Sequence, residues 1–482
     1  MATRTSTGAG TGAAARAGDD FDAIVIGGGH NGLVTAAYLA RAGVRTVVLE
    51  ARADVGGTAA SEQFAGATVN ICSCDHLTFR TTPVMAELDL AAHGLRYIDL
   101  DPAQHNMTWA TAADGIAWSH HHDLDETVAS IAEVLPGQAD AYRRYARAAM
   151  PAIRMIFEAA AEPPSVRGLT ALALRRRLAG TPTLLRWSRR STGDVLRSFF
   201  DDDAITGPAA MSGPMVWGIS PETPGTGLGA LGMGMRHVAR VGRPIGGSGE
   251  VPRALRSAFE AAGGEVRTKS VVDSIRCEGG RVRGVGLVDG TEIDAPIVVS
   301  ACNPHDTFLR WLKNPPTTAR DLVRRWNGVP HAEGYESKLD AIIVVGPSLL
   351  DPTMAPAGRH VFSLEALFTP FSVVGGWADS PEPWRWLEVV SELLEPGFLD
   401  SIVDWRAMTP DVYERDFHLP AGHATSFAGG PLAAFRNTNP ELTNYETAVE
   451  GLYLTGAATF PGAGVWGASG RNCATVILEQ RS

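Results

Sequence analysis

The first apolar run of the chain is short. Phe21-Asp-Ala-Ile-Val-Ile26 leads directly into Gly27-Gly-Gly-His-Asn-Gly32. A β-branched run of this length, ended by turn residues, predicts a buried parallel strand. Residues 33–42 follow with small apolar side chains at helical spacing, and Gly43 stops them. Thr46-Val-Val-Leu49 predicts a second strand ending at Glu50. Further on, residues 263–275 read as a strand, with a hairpin turn at Glu278-Gly-Gly-Arg281. Its return spans 282–288, and Asp289-Gly290 turns the chain into another strand over 295–301. Residues 451–456 predict a last strand, and a helix follows the loop Pro461-Gly-Ala-Gly464-Val-Trp-Gly467. Strands alternating with helices at both ends predict an α/β architecture with a parallel sheet.

Gly27, Gly29 and Gly32 are in register as G-x-G-x-x-G between strand and helix, with an acid about 20 residues on. The spacing has a physical reason. Gly27 permits the tight turn, Gly29 lets a pyrophosphate approach the backbone, and Gly32 lets helix pack on strand. Helix N–H groups then hold the phosphates. Glu50 accepts from ribose hydroxyls, and an acid there disfavours a 2′-phosphate, so NADP is not expected at this loop. Gly56 and Gly57, just beyond the second strand, give another close backbone approach suited to a longer ligand.

With these segments in place, the chain resembles the phytoene dehydrogenase-like branch of the FAD-dependent amine oxidase and phytoene desaturase superfamily. The resemblance implies a discontinuous, glutathione reductase-like FAD-binding domain of Rossmann type over 21–105, 246–310 and 440–482. An α+β substrate domain, made of the inserts 106–245 and 311–439, completes it. FAD is the implied cofactor. Its implied contacts are Gly27, Gly29, Gly32, Glu50, Arg52, Gly56, Gly57, Thr58, Val272, Gly456, Gly464, Val465 and Gly467. Thr58 stands where relatives often carry arginine, and Phe460 where they often carry histidine. The implied reaction is removal of hydride and proton from a CH–CH or CH–N unit of a largely apolar small molecule, with oxygen or a quinone-like acceptor. Two alternatives stay open: a redox-neutral isomerase or saturase of the same fold, and an FAD-retaining scaffold or membrane-associated subunit without turnover.

Composition narrows the partners. A formal charge of −11 over 482 residues argues against nucleic acid. Five scattered cysteines without C-x-x-C spacing point to a reducing, cytoplasmic setting. No apolar run is long enough for a membrane span, and residues 1–20 read as a disordered low-complexity tail. One segment breaks the acidic trend: residues 166–193 hold seven arginines, no acid and six interleaved leucines. That is the pattern of a basic amphipathic element on an anionic membrane, or of a solvated face paired with acidic neighbours. Gly180 and Pro182 divide it into two short helices.

Candidates for chemistry are few. Lys338, one of only three lysines, stands where amine-oxidase relatives place a lysine near the flavin, and it is expected to favour reaction with oxygen. His76 lies in Asn70-Ile-Cys72-Ser-Cys74-Asp-His76, a stretch that passes beside the flavin ring in relatives, as a candidate base or steering group. No metal site is expected, because His120, His121 and His122 alternate faces on an extended chain. Gly246-Gly-Ser-Gly249 precedes a helix without a βαβ unit and an acid, so no second dinucleotide site is expected. Ten of the eleven tryptophans fall in or beside the inserts, which suggests either an aromatic substrate pocket or ordinary core positions.

Overall fold

The computed structural model describes residues 21–72, 75–108, 115–213, 215–217, 219–328, 342–367, 369–422 and 439–481. Its centre is a parallel sheet of β1 (Ala23–Ile26), β2 (Thr46–Leu49), β3 (Glu265–Arg267), β4 (Ile297–Ser300) and β5 (Leu452–Leu454), in the order β5-β4-β1-β2-β3. All five strands come from the segments 21–105, 246–310 and 440–482.

Alternation along these buried strands explains how the parts join. Ala23, Val25, Val48 and Val299 point to the face covered by α1 (His30–Arg41), α4 (Glu250–Ala261) and α5 (Ala468–Arg481). Ile24, Ile26, Val47 and Val298 point the other way, into a core that also contains Trp118, Tyr142 and Tyr145 of the insert. The sheet is therefore buried on both faces. Helix α1 starts three residues before the apolar run predicts, at His30 inside the glycine motif.

The strand read over 263–275 is two strands. Glu265–Arg267 belongs to the parallel sheet, whereas Val272–Glu278 opens an antiparallel sheet with Arg281–Leu287 and Glu292–Asp294. Lys269, at φ +55°, bends the chain between them. A continuous β-propensity run conceals such a break, because a single left-handed residue is enough to turn the chain.

The inserts are chiefly helical, with α2 (Leu124–Val134) and α3 (Pro136–Ala160) as their main supports. Half of the insert tryptophans whose burial is described are core. Trp118, Trp187, Trp326 and Trp377 are each under 7% exposed, and Tyr145 stacks on Trp187 at 6.1 Å. Trp118 donates to the Ala204 carbonyl at 2.9 Å. For these four the ordinary core reading holds; Trp109 lies outside the described residues. The basic segment does form two short helices, Val166–Arg175 and Thr181–Trp187, separated at Gly180. No helix among the described residues is long and apolar enough to cross a membrane.

Candidate functional site

The glycine motif forms the turn between β1 and α1. Gly27 adopts φ +99°, a conformation that side chains disfavour. A Cβ on Gly32 would lie 2.1 Å from the Gly27 carbonyl oxygen, so α1 reaches the strand only because residue 32 is glycine. Gly29 differs: a Cβ there would meet nothing within 4 Å. Its backbone faces open space at the start of α1, where the helix dipole favours an anion.

Glu50 is 7% exposed, and its carboxylate accepts from the Gly28 N–H at 2.8 Å and the Arg52 N–H at 2.8 Å. The acid is thus fixed at the rim of the loop with lone pairs left over. Gly56 N–H donates to the Gly28 carbonyl at 2.9 Å, and a Cβ on Gly57 would come within 3.4 Å of Gly29 Cα. The two glycine segments therefore lie against each other, with Thr58 in the short turn Gly57–Ala59. Val272 is buried, two residues from Ser270, whose N–H donates to the Glu50 carbonyl at 2.9 Å. Arg52 sends its guanidinium away from the loop. It pairs with Glu62 at 2.7 Å and stacks 4.1 Å over the Phe417 ring.

At the other end of the site, Ser469 near the start of α5 holds the Gly456 N–H at 3.1 Å. Thr78 donates to the Val465 carbonyl at 2.8 Å, and Thr82 to the Trp466 carbonyl at 3.2 Å. Gly467 packs on Phe79, Val34 and Val84. The 464–467 loop is thereby fastened over the start of α1.

Between these loops lies a residue that the motif's glycines overshadow in sequence. His30 hydrogen-bonds the Gly464 carbonyl, and Asn31 Nδ2 stands 3.1 Å from its Nε2. Burial pushes its pKa down to about 4, so it is neutral at pH 7. His76 is 1% exposed, and both its nitrogens are used: Nδ1 meets the Tyr97 hydroxyl at 2.8 Å and Nε2 the Ser248 hydroxyl at 2.8 Å. Burial and neighbouring His30 bring it to about 3. The acid–base expectation for His76 does not fit this geometry, since no ring nitrogen is left to meet a substrate. His76 instead fixes the 246–249 loop. Lys338 and Cys74 lie outside the described residues.

The 246–249 loop is filled by the protein itself. Gly246 N–H donates to Asp351 at 2.6 Å, Ser248 N–H to Asn70 at 2.9 Å and Gly249 N–H to Ser61 at 2.8 Å. Asp351 is 1% exposed and also accepts from Thr353. These partners come from far along the chain, so the sequence gives no hint of them. On the surface beside α2, His121 pairs with Asp101 at 3.1 Å and Glu126 at 3.4 Å.

Known proteins resemble this chain in sequence and fold. Residues 25–87 match the NAD(P)-binding Rossmann-like domain and residues 169–333 the flavin containing amine oxidoreductase family. Pyridine nucleotide-disulfide oxidoreductase domain-containing protein 2 of Rattus norvegicus is 28% identical, over 95% of this chain and 94% of its own. A limonene dehydrogenase subunit of Castellaniella defragrans is 26% identical, over 95% and 94%. The neurosporene-forming phytoene desaturase of Rhodobacter capsulatus is 25% identical, over 92% and 91%. Together these matches support a likeness to the amine oxidase and phytoene desaturase superfamily along nearly the whole chain. A structure of putrescine oxidase shares the fold, with a TM-score of 0.61 at 14% identity over 95% of this chain and 99% of that one.

The protein is an FAD-dependent oxidoreductase. The residues present fit the cofactor. Gly29 leaves space where a pyrophosphate needs it, and Glu50 is fixed where ribose hydroxyls need an acceptor.

Proposed function

We propose that this flavoenzyme removes a hydride and a proton from a CH–CH or CH–N unit of a largely apolar small molecule and passes the electrons to oxygen or a quinone-like acceptor, not to NAD(P). FAD, when bound, supplies the hydride-accepting centre. Gly27, Gly29, Gly32, Glu50, Gly56 and Gly57 would hold its adenosine and phosphates. The 464–467 loop and the start of α5 would place N–H dipoles at its ring end.

The observation that carries the choice of acceptor is the filled 246–249 loop. Asp351, Asn70 and Ser61 occupy the donors that a second dinucleotide phosphate would need. The choice of donor is supported by the neutral His30 and the fully engaged His76, which suit hydride removal without a strong base. Two relatives are named for hydrocarbons, limonene and phytoene. Anaerobic addition of limonene and of cyclohexylamine to the holoenzyme tests this. Loss of the oxidised flavin band with either supports the reading. Bleaching by putrescine alone contradicts it.

Delivery of such a molecule from an anionic lipid surface is supported by the 166–193 face. Val166, Leu174, Leu178 and Leu185 are 86%, 65%, 51% and 55% exposed among the arginines. Flotation with phosphatidylglycerol vesicles but not with phosphatidylcholine vesicles is the expected result; no flotation with either rules out delivery from a membrane.

A further inference from the structure

Several arginines drawn into this fold have carboxylate partners. Arg243, with a side chain 6% exposed, pairs with Asp75 at 2.7 Å. Arg325 pairs with buried Glu441 at 3.0 Å, and Arg80 pairs with Asp99. Arg236 breaks the pattern. It sits in the turn Met235–His237, just ahead of the strand Gly242–Pro244. Among the described residues its guanidinium finds no ion pair and no hydrogen bond, and its Nε is buried without a partner. The residue is only partly exposed, so what remains accessible includes the terminal nitrogens.

The groups around it are already committed. Tyr142, Tyr145 and Asp75 are the titratable neighbours that act on its charge. Tyr142 hydroxyl is shared with His120 and His237, at 3.1 and 2.9 Å. Tyr145 hydroxyl accepts from the Gly234 N–H at 3.0 Å and donates to the Ala230 carbonyl. Asp75 is taken by Arg243. Burial lowers the Arg236 pKa, the sign expected of a desolvated, unpaired cation. Such a charge is costly unless something supplies the opposite one.

Position says where that opposite charge would lie. Asp75 directly precedes His76, whose backbone pairs with Gly242 beside the 246–249 loop. Arg236 therefore stands where the insert meets the flavin segments, with the aromatic core of Tyr142 and Tyr145 on its other side. One cation with a carboxylate already nearby suits a monoanion better than a phosphate dianion.

We infer that Arg236 receives a carboxylate carried by the substrate, so that the molecule oxidised here is an amphipathic acid with an apolar body. This rests on the reading that the substrate is largely apolar, and adds the group that orients it. A guanidinium offers two parallel donors to a carboxylate, which fixes direction as well as position.

The test uses the FAD-loaded enzyme and reads binding, so it does not depend on turnover. Octanoate and 1-octanol are titrated in while the flavin absorbance is followed, which confines the signal to the flavin's surroundings. Octanoate is expected to bind at least tenfold tighter than octanol. In Arg236→Met that preference disappears with FAD content unchanged, and Arg236→Lys restores part of it. Met keeps an unbranched side chain and removes a buried charge, so the variant should fold at least as well as the parent. Equal affinity for the two probes in the parent enzyme overturns the inference, and that comparison decides alone if neither variant is soluble. Undiminished octanoate binding by Arg236→Met overturns it as well. Loss of FAD from Arg236→Met also does so, because the arginine would then belong to the cofactor.

Discussion

Two glycine-rich loops in this protein look alike in sequence and differ completely in use. Gly27–Gly29 and Gly246–Gly249 both precede a helix whose first turn offers N–H donors. In the first, Gly29 faces open space and the acid at Glu50 is held to one side. In the second, three side chains from distant segments already accept from the backbone. A glycine loop is a phosphate site only where its donors are left unfilled. Filling is a property of the fold, not of the motif.

The sharpest way to break this contrast is at the first loop. Gly32→Ala should prevent stable folding, because its methyl would lie 2.1 Å from a backbone oxygen. Gly29→Ala should fold normally: its φ of −68° is open to alanine and no atom is in the way. The variant should even gain about 0.5 kcal/mol through the unfolded chain. FAD per chain should nevertheless fall at least tenfold, and measuring flavin content beside a urea melt separates the two effects.

The second loop should behave in the opposite manner. Asp351→Ala should cost about 1–3 kcal/mol of stability, since the Gly246 N–H loses a buried acceptor, while FAD content stays at the parent level. The histidine between the loops adds a pH dependence. Unfolded imidazoles take up protons below about 6.5, whereas His30 and His76 resist until about 4 and about 3. The unfolded chain therefore binds more protons in that window, and stability held above pH 6.5 is lost as pH falls through it. Urea midpoints measured from pH 7 to 4.5 should decline, and less steeply in His76→Asn. Smallest of all is Arg52→Gln, expected to change stability by less than about 1 kcal/mol and FAD content by less than threefold, because the guanidinium serves Glu62 and Phe417.

What was legible in the sequence was local. Strand, glycine turn, helix and acid between Phe21 and Glu50 follow from nearest-neighbour physics, and so do the two helices split at Gly180. What was hidden depends on partners far apart. Asp351 reaches Gly246 across 105 positions, and Ser248 meets His76 across 172. His30 was inside the motif, yet its role depends on Gly464. The break at Lys269 was hidden for another reason: one left-handed residue splits a run whose composition stays β-like. Tryptophan positions could not choose between core and pocket, because a large ring fills a core as readily as it lines a pocket.

The direction of electron flow tests the difference between the two loops most directly. The holoenzyme's flavin can be photoreduced without air and mixed in turn with NAD+, NADP+, menadione and oxygen. The oxidised absorbance should return with menadione or oxygen and stay absent with both nicotinamides. Saturable reoxidation by NAD+ or NADP+ would contradict the reading of the two loops.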